Sequence, residues 1–137
     1  MGSMKRSPKK KGRFVGIPYH VAKSLPFAQL KAAEVKLLVD LLCQCNGRNN
    51  GCLSACHALM KERGWASSSL HRAFSGLISK GFLVVTRQGW KQRGRPTLVA
   101  ITWNGIDEPV KGVQYDDGIS PGNIPLGYWC KSPSSWK

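Results

Sequence analysis

The stretch MKERGWASSSLHRAFSGLISKGFLVV, residues 60–85, decides the fold of this chain. It holds the end of one helix, a short turn, a second helix and the start of a β-strand. Gly64 and Gly81 stand where helices end, because glycine readily adopts the left-handed conformation that closes a last turn. Between them, apolar residues recur at helical spacing: Leu70, Ala73, Phe74, Leu77 and Ile78. The pattern predicts a helix with one buried face and one exposed polar face.

A longer apolar helix is predicted upstream, in LKAAEVKLLVDLLCQC at residues 30–45. Its apolar residues keep helical spacing and cover more than one side, which is typical of a central helix. NGRNNG at 46–51 ends this helix, since Asn-Gly steps supply positive φ. Residues 52–64 are predicted as a brief extended piece followed by a helix, with Ser54 as its N-cap. A short strand and one helical turn after Pro18 are expected to begin the ordered part.

Two β-rich runs follow the second helix of the opening stretch. FLVVTRQ at 82–88 and TLVAITW at 97–103 are separated by GWKQRGRP at 89–96. Runs of this composition around a short Gly- and Pro-containing segment predict an antiparallel hairpin. From Asn104 onward Gly, Pro and Asp are frequent, so an irregular tail held by a few apolar side chains is expected.

The charge of the chain is strongly positive and unevenly distributed. Twenty-one basic and seven acidic residues give a net charge of +14. Residues 1–13 carry six basic and no acidic residues, and residues 84–96 carry four basic and no acidic ones. Residues 104–137 carry three basic and four acidic residues. Such a distribution favours a polyanionic partner, and nucleic acid is the commonest one inside a cell.

Five cysteines raise the questions of zinc and of disulfides. Cys43, Cys45, Cys52, Cys56 and His57 cluster in the sequence, but paired C-x-x-C motifs are missing. Without an export signal, reduced thiols that act as small core hydrophobes are favoured over a disulfide framework or a metal site. No metal and no cofactor are predicted.

Residues 60–85 and the hairpin that follows resemble the winged helix-turn-helix family of DNA-binding proteins. The resemblance rests on a helix ending in glycine, an apolar residue, small polar residues, a helix with Arg-Ala-aliphatic, in which Phe74 takes the aliphatic place, and a closing glycine with an apolar strand. The matching residues are Gly64, Trp65, Ser67–Ser69, Leu70, Arg72, Ala73, Phe74, Leu77, Gly81, Phe82 and Leu83. Trp65 replaces a small aliphatic residue and Ala66 a capping serine, so Ser67 or Ser68 is expected to cap the helix instead.

The resemblance implies an α+β fold with a three-helix core and a β-hairpin wing. More loosely, NGRNNG and the end of the hairpin resemble small helix-turn-helix proteins of bacterial mobile elements, from phages and plasmids. The implied partner is double-stranded DNA, and the implied role is transcriptional regulation in such an element. An accessory protein of replication initiation would share the same DNA-binding chemistry and remains the alternative.

The helix after the turn is suited to the major groove of DNA. With its apolar residues turned inward, polar side chains occupy the opposite arc, where arginine can bind guanine and serine can bind bases or phosphates. The candidate residues are Ser67, Ser68, Ser69, His71, Arg72 and Ser75. The alternatives are that these are ordinary solvated positions, or that Arg72 pairs with a carboxylate of its own domain.

The hairpin loop contains RGRP, residues 93–96, which resembles the core of the AT-hook peptide. Narrow minor grooves concentrate negative potential, and a glycine between two arginines lets the backbone approach closely. The predicted contacts to the minor groove or to phosphates come from Arg87, Trp90, Lys91, Arg93, Gly94 and Arg95, and from a flexible arm with Lys5, Arg6, Lys9, Lys10, Lys11 and Arg13. A soluble turn whose charges prevent edge aggregation is the simpler alternative.

Other function classes have less support in the sequence. The seven carboxylates are expected mostly on helix surfaces or in the tail, and the three histidines have no partner at catalytic spacing, so no enzyme is predicted. No membrane span or secretory segment is recognised, and a cytoplasmic, nucleoid-associated protein is expected. A protein-interaction module on the same scaffold stays open, as does a homodimer on a two-half-site operator.

The sequence thus predicts three regions. Residues 1–13 are a tag remnant and a disordered basic arm, residues 14–105 are the DNA-binding domain, and residues 106–137 are the irregular tail.

Overall fold

A computed structural model describes residues 12–90 and 94–136 of the chain. Its architecture is mixed α+β, as predicted, with helices preceding a two-stranded antiparallel sheet. The α-helices in the described ranges are α1 (Tyr19–Ala22), α2 (Leu25–Ala28), α3 (Ala32–Leu42), α4 (His57–Met60) and α5 (Ser67–Ser79). The strands are β1 (Leu83–Arg87) and β2 (Leu98–Ile101), and short 3-10 helices cover Lys61–Arg63, Tyr128–Cys130 and Pro133–Ser135.

Helix α3 forms the centre of the core. Leu37, Leu38 and Leu41 are completely buried on it, in agreement with the predicted apolar pattern. The helix is shorter than the predicted range 30–45 and ends at Leu42, before the Asn-Gly segment. Its apolar face packs against α5, whose Leu70, Ala73 and Leu77 belong to the same core cluster.

Two carboxylates of α3 are buried and are the exceptions to the expectation that acidic residues lie mostly on helix surfaces or in the tail. Glu34 is 3% exposed and Asp40 is 4% exposed, whereas Ala33, one of the apolar residues at helical spacing in this helix, is exposed. Glu34 pairs with Lys80 at the end of α5, with 2.6 Å between Nζ and Oε1. A buried charge is tolerated only when ion pairs and hydrogen bonds replace its hydration. Both side chains therefore mark places where α3 is joined to another segment.

The segment before α5 begins differently from the prediction. Cys56, not Ser54, is the N-cap of α4, and the Ser54 hydroxyl accepts a hydrogen bond from the Cys56 amide at 3.2 Å. Ser54 therefore shapes the chain two residues before the helix. Gly64 ends the following 3-10 turn with φ of 90°, so the predicted helix end there is confirmed.

Helix α5 agrees closely with the periodicity of its sequence. Leu70, Ala73 and Leu77 are buried, and Phe74 is partly buried at the margin of the core. The prediction that Ser67 or Ser68 caps the helix is wrong. Ala66 is the N-cap, with no side-chain hydrogen bond, since the helix already starts at Ser67.

The hairpin predicted from the two β-rich runs is present. Leu83 pairs with Ile101, and a bulge between Val85 and Arg87 shifts the register toward the loop. On its other edge β2 exchanges two backbone hydrogen bonds with Leu53, at 2.9 and 3.2 Å, so the predicted extended piece before α4 is confirmed. The strand β2 is thereby enclosed on both edges, and all four of its residues are buried.

The two ends of the described chain are largely irregular. Residues 12–18 form no strand, so the short strand predicted before Pro18 is wrong. After Asn104 the chain is mostly irregular, as predicted, and Tyr128 is buried beside α5. Ile124 is 85% exposed, so this apolar side chain does not help to hold the tail on the domain.

Candidate nucleic-acid interface

The exposed arc of α5 carries the polar residues that the sequence singles out. Five of the six candidates on this helix are exposed, namely Ser67, Ser68, His71, Arg72 and Ser75. Ser69 is half-buried, and its hydroxyl donates to the Ala66 carbonyl at 3.2 Å. The side chains of 68, 71, 72 and 75 share one face because three- and four-residue steps return to the same side of a helix. None of the three ion pairs among the described residues involves Arg72, so its predicted alternative role in an internal pair is not observed.

An open groove of about 610 Å³ joins this helix to the hairpin. His71 contributes from α5, His57 and Ala58 from α4, and the hairpin contributes the stretches 88–90 and 94–97. The polar arc of α5 and the hairpin loop therefore border a single surface feature.

The wall of the groove on the α4 side is held by a histidine. Nε2 of His57 lies 3.0 Å from the backbone oxygen of Trp65, in the turn that precedes α5. A carbonyl oxygen can only accept a hydrogen bond, so Nε2 carries the proton in this contact. The contact fixes the start of α4 against the start of α5, and with it the width of the groove at that side.

The hairpin wall is built from Trp90 and Arg95, which face each other across the loop. The two residues exchange backbone hydrogen bonds, with N–O distances of 2.8 and 3.1 Å. The Arg95 guanidinium lies 4.9 Å from the centroid of the Trp90 ring, within the range of a cation–π contact. Trp90 is nevertheless 45% exposed. Together they place a flat aromatic surface and a cation at the mouth of the groove.

Gly89 allows the two sides of the hairpin to approach closely next to Trp90 and Arg95. A Cβ atom at Gly89 would overlap the backbone of Arg95, Pro96 and Thr97. The Thr97 hydroxyl accepts a hydrogen bond from the Gly89 amide at 3.0 Å. The floor of the groove next to Trp90 is therefore backbone, held in place from both sides of the hairpin.

A second cavity lies against the same hairpin and contains both signs of charge. Arg87, Arg95, Asp116 and Asp117 all line it. The tail is attached there by two hydrogen bonds, from the Asp116 amide to the Thr86 carbonyl and from the Gln88 amide to the Asp116 carboxylate, both at 2.8 Å. Arg87, one of the predicted DNA contacts, also donates to the Pro96 carbonyl at 2.8 Å. Its side chain therefore lies along the hairpin.

The aromatic end of the tail does not line the groove. The Trp129 ring stacks on Phe82 with centroids 6.1 Å apart, and Trp136 stacks on Tyr128 at 5.0 Å. Both contacts lie beyond the C-terminal end of α5. His71 precedes Ser79, the last residue of α5, by about 12 Å of helix rise. The groove and the packed tail thus occupy different ends of the same helix.

Several predicted contact residues lie outside the described ranges. They are Lys91 and Arg93 of the hairpin loop and Lys5, Arg6, Lys9, Lys10 and Lys11 of the arm. Arg13, the one arm residue that is described, donates to the Cys45 carbonyl at 2.7 Å at the end of α3. Gly94 is exposed with φ of 60°, which a glycine adopts without strain.

The cysteines differ from the expected core hydrophobes. All five are free thiols, and Cys43 and Cys130 are exposed. Cys45 packs partly against the core, and burial raises the pKa of its thiol. Within residues 12–90 and 94–136, no three His, Cys, Asp or Glu side chains are arranged to hold a metal ion. No helix in these ranges is long and apolar enough to cross a membrane.

Sequence reasoning missed the contribution of α4 and of the hairpin flanks to this surface. His57, Ala58, Gln88 and Thr97 line the groove but stand outside the motif that points to DNA. His57 is 14 residues from His71 in sequence, and only the folded turn around Trp65 brings the two helices together. The sequence did contain one local sign that the flanks of the hairpin loop would line this surface. This sign is Gly89, which directly precedes Trp90, the aromatic residue of the loop.

Comparisons with known proteins give no relative for this chain: no family model, no curated protein and no solved structure matches it.

Proposed function

We propose that the protein binds double-stranded DNA as a winged helix-turn-helix, with α5 as the recognition helix in the major groove. The hairpin loop, residues 88–97, is then the wing and contacts the minor groove or the phosphates. The proposed role is sequence-specific control of transcription in a bacterial mobile element, which the looser resemblance of NGRNNG at 46–51 and of the end of the hairpin suggests.

The observation that supports this proposal best is the groove shared by α5 and the wing. In a duplex, one sugar-phosphate strand separates the major groove from the minor groove. A helix in the first groove and a loop in the second must therefore leave room between them for that strand. His71 on one wall and Arg95 on the other provide such a channel, with Trp90 exposed beside it.

The charges around the groove favour a nucleic-acid strand. Its lining includes Arg95 and two histidines but no aspartate or glutamate among the described residues. The N-terminus of α5 has no side-chain cap, so its first backbone N–H groups remain available to phosphate oxygens. The chain as a whole carries a net charge of +14, which strengthens attraction to a polyanion at long range.

The first test is binding to random-sequence duplex DNA, followed by selection of the bound sequences. If about six phosphates are neutralised, the logarithm of the binding constant falls against the logarithm of salt concentration with a slope of about −5. Selection should also enrich a defined site, which a purely electrostatic binder would not do. A flat salt dependence contradicts the proposal.

Loss of two wing arginines tests the wing separately. Arg93→Ala with Arg95→Ala should weaken binding to A·T-flanked sites by roughly 1–3 kcal/mol, more than to G·C-flanked sites. Arg48→Ala is the matched control, because Arg48 is exposed and lies outside the groove. Unchanged binding of the double variant would leave the wing as a structural turn.

A protein-interaction role is the second candidate, and one specific observation favours it. Phe14, Tyr19 and Leu25 are 83%, 76% and 69% exposed near the start of the described chain. Exposed apolar side chains in one short stretch are typical of contact with another protein. Sedimentation velocity over a range of concentrations, for the wild type and for Phe14→Ser with Leu25→Ser, would show whether this stretch joins two copies of the chain.

A further inference from the structure

We propose that the groove between α4, α5 and the wing holds an unpaired nucleobase stacked on Trp90. The preferred ligand is then duplex DNA in which one nucleotide has left the base stack. This inference rests on the proposed function and specifies which form of DNA the same surface prefers.

The groove has an apolar lining that the binding of a phosphate strand alone does not require. Phosphate contacts need cations and N–H donors, yet Trp90, Pro96 and Ala58 give this groove an apolar lining. A volume of about 610 Å³ admits a planar base with its sugar. Every base has an aromatic face, so such a site accepts any base without reading its hydrogen-bonding edge.

The position of Trp90 suits a base that comes from the bound duplex. In the proposed complex the backbone of the strand between the recognition helix and the wing runs along the mouth of the groove, between His71 and Arg95. A nucleotide rotated out of that strand would enter the groove while its phosphates stay near Arg95 and His71. Unstacking costs least where the base has no partner, so a bulge or a mismatch supplies the favoured ligand.

The wing holds the aromatic ring in place before any ligand arrives. Trp90 and Arg95 are joined by two backbone hydrogen bonds and by the cation–π contact. Gly89 keeps the opposite backbone close beneath the pair. A pre-positioned ring loses little conformational freedom on stacking, which favours affinity.

The experiment uses the full chain and a duplex with a one-nucleotide 2-aminopurine bulge, with the fully paired duplex of the same sequence for comparison. Stacking quenches 2-aminopurine fluorescence, so titration reports the contact directly in the wild type. The bulged duplex should bind about tenfold more tightly than the paired one. Trp90→Ala should remove that preference and the quenching, whereas Trp90→Phe should retain most of both. Ile124→Ala is the control, because Ile124 is also a large exposed apolar residue but lies outside the groove.

The outcomes separate this inference from the proposed function. Tight binding of the paired duplex with neither preference nor quenching overturns the nucleobase site and leaves duplex binding intact. Quenching that persists in Trp90→Ala also overturns it, because the base would then lie elsewhere. Self-association that depends on Trp90 and blocks quenching would show that the groove receives a second copy instead. Binding of neither duplex would overturn both proposals.

Discussion

Trp65 donates its indole Nε1–H to the Asp40 carboxylate over 2.7 Å, and both side chains are buried. The bond connects the C-terminal part of α3 to the turn that precedes α5. Arg63 and Lys36 complete the site, with nitrogen–oxygen distances to Asp40 of 2.8 and 2.7 Å. The large residue that departs from the winged-helix pattern is thus part of a buried polar network. This network fixes the turn from which α5 starts.

Replacing Asp40 tests how much this network contributes to stability. Asp40→Asn removes the charge that Arg63 and Lys36 bind, and it should lower the free energy of unfolding by about 1–3 kcal/mol. A larger cost is not expected, because the cationic partners are each 49% exposed and regain water. Urea denaturation would measure the change. Glu62→Gln is the control, since Glu62 is exposed on the same turn, and an equal loss in both variants would contradict the prediction.

The same carboxylate predicts a dependence of stability on pH. Burial on its own would raise the pKa of Asp40, but hydrogen bonds from Lys36, Trp65 and Arg63 outweigh it and hold the pKa below its ordinary value of 3.8. A group whose pKa is depressed by folding stabilises the native state above its unfolded pKa. That contribution is lost as the pH falls below 3.8 through the depressed value. The stability difference between wild type and Asp40→Asn should therefore be constant near neutral pH and shrink in this acidic range. Unfolding free energies measured between pH 7 and pH 2 would check it, and a difference that grows on acidification has the wrong sign.

Gly76 gives a prediction opposite to helix propensity. Alanine normally stabilises a helix interior by about 1 kcal/mol relative to glycine. A Cβ atom at Gly76 would overlap the Glu34 carboxylate, which is buried and paired with Lys80. Gly76→Ala should therefore destabilise the fold by roughly 1–3 kcal/mol. Ser79→Ala, at an exposed position of the same helix, is the control and should change stability little.

A double-mutant cycle identifies the cause of that loss. In the background of Glu34→Ala the obstructing carboxylate is gone, so adding Gly76→Ala should cost much less than it does in the wild type. Thermal or urea unfolding of the four proteins gives the coupling. Additive losses would show that the contact between Gly76 and Glu34 is not the reason.

Local patterns predicted the elements of this fold better than its internal connections. The periodicity of α5, the glycine after it and the two β-rich runs are properties of short stretches, and the structure contains each of them. The burial of Asp40 depends on Arg63 and Trp65, which are 23 and 25 residues away. Apolar periodicity cannot signal such a partner, because a lone carboxylate on a helix usually faces solvent. The same difference holds for the groove. Its α5 side could be predicted from the helical pattern, whereas its α4 side could not, because the folded turn around Trp65 brings α4 next to α5.

Asn50 is a second connection that the sequence did not reveal. NGRNNG predicted a helix end, yet the Asn50 side chain forms three hydrogen bonds with the end of β2 and the residues after it. Its Oδ1 accepts from the Ile101 amide at 2.8 Å, and Nδ2 donates to the carbonyls of Ile101 and Gly105 at 3.0 and 2.8 Å. An amide side chain has two N–H donors and an acceptor oxygen, so a single Asn can form all three bonds, which a hydroxyl with its one donor cannot. Asn50 thereby attaches the loop after α3 to the second strand of the hairpin.

Asn50→Ala should lower the free energy of unfolding by about 2–4 kcal/mol, because the buried amide and carbonyl of Ile101 lose their partner. Asn50→Asp should be similarly harmful, since an ionised carboxylate cannot donate to two carbonyls. Hydrogen exchange should show faster opening of the Ile101 amide in both variants, and urea denaturation should give the global cost. Asn123→Ala is the control, as Asn123 is exposed in the tail. Wild-type stability of Asn50→Asp would show that the hydrogen bonds donated by Nδ2 do not stabilise the attachment of β2.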